Sequence, residues 1–207
     1  MNVSVDDFPL FAIGQNYTKD IFSSVTYKDQ VHDYISVRTY DNLGKRKETY
    51  IRGMVGIPPG GRYFFGLGAQ YNLNEYDGVY ENQPLTFSRG SWQFFTFHSL
   101  RLFKETKLTV SGFMMVNGQQ NFYKLNTFGQ LNASLNQTLL NKRLIISINM
   151  RDILKTMVTE FELDQGSTYT SGNRYSDNQR FGINIRYNMG ITKKEERKKM
   201  MVGEQEE

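Results

Sequence analysis

Cysteine is absent from this chain, which excludes thiol catalysis, disulfide frameworks and cysteine-based metal sites. Proline is scarce, at four residues, so little interrupts regular structure. No run of about 18 apolar residues exists, so no transmembrane helix is expected. Strands that cross a membrane never produce such a run, and a transmembrane β-barrel stays open as a possibility. No secretory signal is visible, because "MNVSVDDFPLF" carries acids and a proline where a basic segment and then an apolar one belong. The net charge of +4 on 207 residues is small. Much of it sits in "KKEERKK", and with no basic recognition motif beside it no nucleic-acid partner is expected.

Aromatic residues and glycine are plentiful: 13 Tyr, 15 Phe and 18 Gly. That composition leans towards β structure. Alternation of apolar and polar residues marks about eight strands. They are expected near residues 20–37, 48–57, 62–73, 91–103, 107–116, 127–139, 143–151 and 179–189. In the last, Phe181, Ile183, Ile185, Tyr187 and Met189 point one way and Gly182, Asn184, Arg186 and Asn188 the other. The 91–103 stretch fits either register, and a bulge in its middle would reconcile the two. Residues 74–90 read as a long loop. The 152–178 segment reads as another, with a possible ribbon at "TMVTEFEL". A charged tail over 192–207 follows a barrel segment over 1–191.

The polar faces read as uniformly polar, rich in Asn, Gln and Ser rather than Lys and Glu, which suits an enclosed wet interior. Short connections ("PPGG", "KET", "LNKR") alternate with long ones, the sidedness of an outer-membrane barrel. Tyr63, Tyr71, Trp92 and Tyr187 near strand ends suit interfacial girdles. Lipid cannot satisfy an unpaired backbone group, so a spanning sheet has to close. The expected fold is therefore all-β: an antiparallel up-and-down transmembrane barrel, as an arc of a larger barrel.

Three stretches carry a family resemblance. "DNLGKRKETYIRG" resembles a turn and the strand after it. "GQLNASLNQTLLNKRLIISINMRDILKT" resembles paired penultimate strands with a periplasmic turn between them, and "RFGINIRYNMG" before a basic tail resembles a closing strand. Over roughly residues 20–195 the chain is similar to the C-terminal part of Bacteroidetes outer-membrane β-barrel proteins related to TonB-dependent receptors. The resemblance implies a nutrient-binding or uptake protein. It also implies further strands and a plug domain upstream, an outer-membrane location with the tail in the periplasm, and only indirect contact with the TonB system.

No catalytic constellation, metal site or cofactor is expected. His32 and His98 have no partner at ligand spacing. Glu75, Asp77 and Glu81, or Glu160, Glu162 and Asp164, match no calcium-loop pattern. No Gly-x-Ser-x-Gly is present. The candidate contacts are Arg143, Arg151 and Arg186, expected to line the lumen or touch the plug, and Tyr76, Tyr80 and Trp92, placed to stack on a ligand. Two alternatives stand: a complete small eight-stranded barrel with a structural or adhesive role, and a soluble lipid-binding β-barrel.

Overall fold

The computed structural model describes residues 2–5, 8–29, 31–32, 34–57, 61–120, 122–166 and 168–189. The expected tail, and most of the "PPGG" turn, lie outside them. Strands in chain order begin with β1 (Asn2–Val5), β2 (Phe8–Thr18), β3 (Phe22–Lys28), β4 (Ser36–Asn42) and β5 (Lys45–Ile57). Then come β6 (Tyr63–Tyr80), β7 (Gln83–Phe103), β8 (Thr106–Val116), β9 (Gln119–Gln120) and β10 (Tyr123–Leu125). The last are β11 (Phe128–Leu139), β12 (Leu144–Arg151), β13 (Val158–Gln165), β14 (Thr168–Tyr175) and β15 (Arg180–Tyr187).

Nine of them form one antiparallel sheet in the order β1-β2-β5-β6-β7-β8-β11-β12-β15. Its order rises with chain position throughout, as in an up-and-down wall. The wall is open: among the described residues neither β1 nor β15 has a second neighbour. A four-stranded sheet, β14-β13-β10-β9, and the β3-β4 hairpin are inserted between wall strands. No helix among the described residues is long and apolar enough to cross a membrane.

Register settles which side chains share a face. Ile51, Tyr71, Trp92 and Val116 lie in one transverse row. Ala133, Met150 and Phe181 lie in another, beside Leu135, Ile148 and Ile183. These rows belong to an apolar face that no other element covers: Val55, Ile183 and Ile185 are 60%, 61% and 67% exposed. The opposite face carries Gln70, Asn72, Ser91, Gln93, Ser111, Gln130, Asn132, Ser134, Ser147 and Asn149. It is not uniformly polar as expected, because Phe95, Phe97 and Phe113 stand there too, with Phe95 directly opposite both Gly68 and Phe113. A side chain's facing follows backbone parity, and parity across 91–103 stays hidden until a neighbouring strand pins it.

Several expected boundaries are corrected. Residues 74–90 form no loop: β6 and β7 pair without interruption from Tyr63↔Leu100 to Tyr80↔Gln83. Their tip is Glu81-Asn82, both at positive φ (49° and 59°), the twist a tight hairpin prefers. With 18 and 21 residues these strands far exceed the roughly 9–11 that span a bilayer. Their outer halves carry no apolar alternation, so their composition reads as loop. Residues 20–37 do not form a wall strand but supply β3 and part of β4, while the wall strand β2 arises from residues 8–18. The expected mid-strand bulge in β7 lies at its end instead, where the register shifts between Arg101 and Phe103.

The connections divide by length. Lys104-Glu105 and residues 140–143 turn tightly at one end. Residues 19–44, the β6–β7 tip, 117–127 and 152–179 all project from the other. These projections fold together into an outer cap with its own core of Val25, Leu43, Tyr76, Tyr80, Phe122 and Leu163. Cap and wall are thus stabilised differently: the cap buries apolar side chains against one another, whereas the wall leaves most of its own exposed.

Candidate functional site

The polar face of the wall and the underside of the cap together form the candidate ligand-facing surface. Among the described residues, Arg89 and Asp152 help fasten the cap to the wall. Arg89 of β7 donates from Nε to the Gly118 carbonyl (3.0 Å) and from a terminal nitrogen to that of Leu125 (3.1 Å), clamping the 117–125 connection. Asp152, fully buried just past β12, accepts the Thr156 and Met157 amides at 3.1 and 3.3 Å. Its own amide donates to Asn132 Oδ1 at 3.0 Å. Sequence reasoning missed Arg89, because nothing in a supposed loop marks its parity with Ser91.

Within the cap, Tyr27 Oη donates to Asp41 Oδ2 at 2.5 Å and its ring stacks on Tyr80 with centroids 5.1 Å apart. Burial first, and then this hydrogen bond and the negative charges nearby, push the Tyr27 phenol up to about 12. Amides of His32 and Val31 bond the Asp29 carboxylate and hold it below the usual carboxylate range.

The expected ligand contacts in the cap are corrected. Tyr76 and Tyr80 are 7% and 3% exposed. Tyr76 packs on Phe122 with centroids 4.8 Å apart, and Tyr80 Oη donates to the Thr26 carbonyl. Both hold the cap together instead of presenting a ring to solute. Trp92 sits on the wall's apolar face, its ring tilted against Tyr71 at 5.0 Å and stacked on Phe94 at 5.8 Å. Tyr63 lies on the same face as Tyr71 and eight residues away, roughly 27 Å along a strand, a spacing comparable with the apolar band between two aromatic girdles. His98 is satisfied on both ring nitrogens, by Tyr63 Oη at 2.6 Å and Thr96 Oγ1 at 2.7 Å.

The three arginines do not converge. Arg143 belongs to the tight 140–143 turn, its amide bonded to the Leu140 carbonyl at 3.1 Å. Arg186 lies near that same end and donates to Asn188 Oδ1 at 3.2 Å. Arg151 stands at the far, cap-proximal end of β12, directly across from Arg180. Arg180 escaped notice, although its parity with Gly182, Asn184 and Arg186 was available. Among the acids considered for calcium, Glu75 pairs with Lys47 at 3.2 Å and Glu162 with Lys124 at 3.5 Å.

Hollows mark both faces of the wall. One, of about 900 Å³, is lined by apolar-face residues such as Val55, Leu67, Phe94, Met114 and Leu131, over the small residues Gly53, Ala69, Gly112 and Gly129. Another, of about 450 Å³, lies on the polar face and is lined by Thr109, Ser111, Asn132, Ser134, Asn149, Arg151 and Arg180.

Searches among curated proteins and among solved structures find no match. The comparison with protein families does find one, covering residues 1–187. With that match, the uncovered apolar face, the polar face behind it and the one-sided long connections have a common explanation: the chain belongs to the outer membrane protein beta-barrel family.

Proposed function

We propose that this outer-membrane β-barrel chain forms part of the wall and mouth of a TonB-dependent-receptor-like protein, which binds and takes up a nutrient without chemistry of its own. The observation that carries this is the open wall. Nine strands with one apolar and one polar face end in two edge strands, each without a second neighbour among the described residues. Unpaired strand edges are not tolerated in lipid, so more strands have to complete the barrel. A barrel of more than nine strands has room for an aqueous lumen, and a plug domain supplied upstream would fill it. The cap faces outside, where solute arrives. The tight turns, and the tail beyond β15, face the periplasm. Contact with the TonB system would run through the plug and not through these strands.

The same facts weigh against the two alternatives. A soluble lipid-binding barrel buries its apolar face inside, yet here no other element covers the apolar face. A complete eight-stranded barrel fits poorly with nine wall strands and two free edges.

The test is transport. Deleting the gene should abolish growth on, and uptake of, at least one solute, and collapsing the proton-motive force should have the same effect. Uptake that is unchanged across a broad panel of carbohydrates and chelates would sink the receptor reading. The outer-membrane assignment would remain.

A further inference from the structure

The polar face contains like-charge pairings that a sheet alone does not favour, Arg101 with Lys107 near the tight turns and Arg151 with Arg180 near the cap. Arg151 and Arg180 stand directly opposite one another on β12 and β15. Like charges so placed repel. Neither guanidinium has a hydrogen-bond or ion-pair partner among the described residues; the nearby carboxylate of Asp152 is taken up by two backbone amides. The pair forms one end of a transverse row. Asn132 lies beside Arg151 in the same 450 Å³ hollow and is paired with Ser111, which is paired with Phe97, which faces Gly66. A side chain at Gly66 would meet nothing within 4 Å, so space lies open beside Phe97. Neighbouring strands are about 4.8 Å apart, which puts Phe97 roughly 14 Å from Arg151.

We propose that Arg151 and Arg180 together bind a carboxylate or phosphate group of the solute. Its remaining length lies across Asn132 and Ser111 and ends against the Phe97 ring. Two guanidinium forks offer the geometry that such anions take. An anion between them also removes their repulsion. The amide and hydroxyl suit hydroxyl groups, and the exposed ring suits the apolar face of a sugar. The chemistry matched is an acidic sugar oligomer of two to three units. The inference rests on the polar face being the lumen.

The protein purified from outer membranes in detergent would be titrated calorimetrically with trigalacturonate, its methyl-esterified counterpart and inorganic phosphate. Trigalacturonate should bind and the esterified trimer should not. The R151Q/R180Q double variant should lose affinity at least about tenfold, and R151K/R180K less, because lysine keeps the charge without the fork. F97A should weaken the trimer but leave phosphate unaffected; phosphate binding alone, indifferent to F97A, would remove the sugar part of the proposal. Unshifted mobility of unheated samples on detergent gels establishes that each variant folds. Equal binding of charged and esterified trimers, equal affinity in R151Q/R180Q, or no binding of either anion overturns the proposal. These 207 residues contain no cysteine, so R180C adds the one thiol among them. If a membrane-impermeant maleimide labels it in intact cells while the titrations fail, the lumen stands and only the anion site falls. If it is not labelled, the underlying lumen assignment fails as well.

Discussion

Tyr27 couples the cap to alkaline pH. Its folded pKa of about 12 exceeds the ordinary value of 10.0, so between these pH values the folded cap retains a proton that an unfolded cap releases. Stability from this group is complete below pH 10 and is lost as pH rises towards 12. Protease resistance of the cap should fall across that interval, and Tyr27→Phe should flatten the fall; an unchanged slope in the variant would show that another group is responsible. Asp152 is a second single-residue determinant. Asp152→Ala leaves the Thr156 and Met157 amides without their acceptor, at a cost of about 2 kcal/mol. Thermal denaturation should register this, with new proteolytic nicking in residues 152–157. Neither role was visible in the residue types, since an Asp after a strand and a Tyr within one are commonplace. Their partners are distant in sequence, Asp41 for Tyr27 and Asn132 for the Asp152 amide.

At the scale of elements, the long β6–β7 ribbon is the post around which the cap assembles. It passes so close to the β4–β5 turn that a β-carbon on Gly78 would collide with the Leu43 carbonyl oxygen. Gly44, in that turn, has φ of +103°, a conformation that side chains resist. Gly78→Ala should therefore undock the 19–44 excursion. Brief trypsin treatment should then cut there while the wall survives as a folded band, and a wild-type digestion pattern would count against the close approach. The ribbon was the element least legible beforehand. Wall strands declare themselves because lipid and water enforce alternation on every residue. The ribbon's outer half is held by backbone pairing, a tight two-residue tip and a core assembled from four separate stretches of chain, none of which imposes a period.

For the whole molecule, the consequence is an asymmetry between adjacent residues. Ile148 lies on the apolar face opposite Leu135 and Ile183, and Asn149 lies on the polar face opposite Ser134 and Gly182. Ile148→Arg should cost about 2–4 kcal/mol if it sits near mid-membrane, whereas Asn149→Arg should cost little. Outer-membrane yield and the urea midpoint of the refolded protein measure both, and equal effects would mean that the apolar face does not meet lipid.

Alternation alone was enough to specify an all-β wall, most strand positions, the alternating faces of β5, the first half of β6, β8, β11, β12 and β15, and short turns at one end with long connections at the other. It was enough because a strand between lipid and water is under the same local constraint at every second position. Contacts between distant segments decided the rest: β2 in the wall and β3–β4 outside it, Tyr76 and Tyr80 in a cap core, the parity of Trp92 and the rest of β7, and Arg151 beside Arg180. Those outcomes depend on which strands become neighbours and in what register, and pairing energies between remote segments leave no periodic trace in either segment alone.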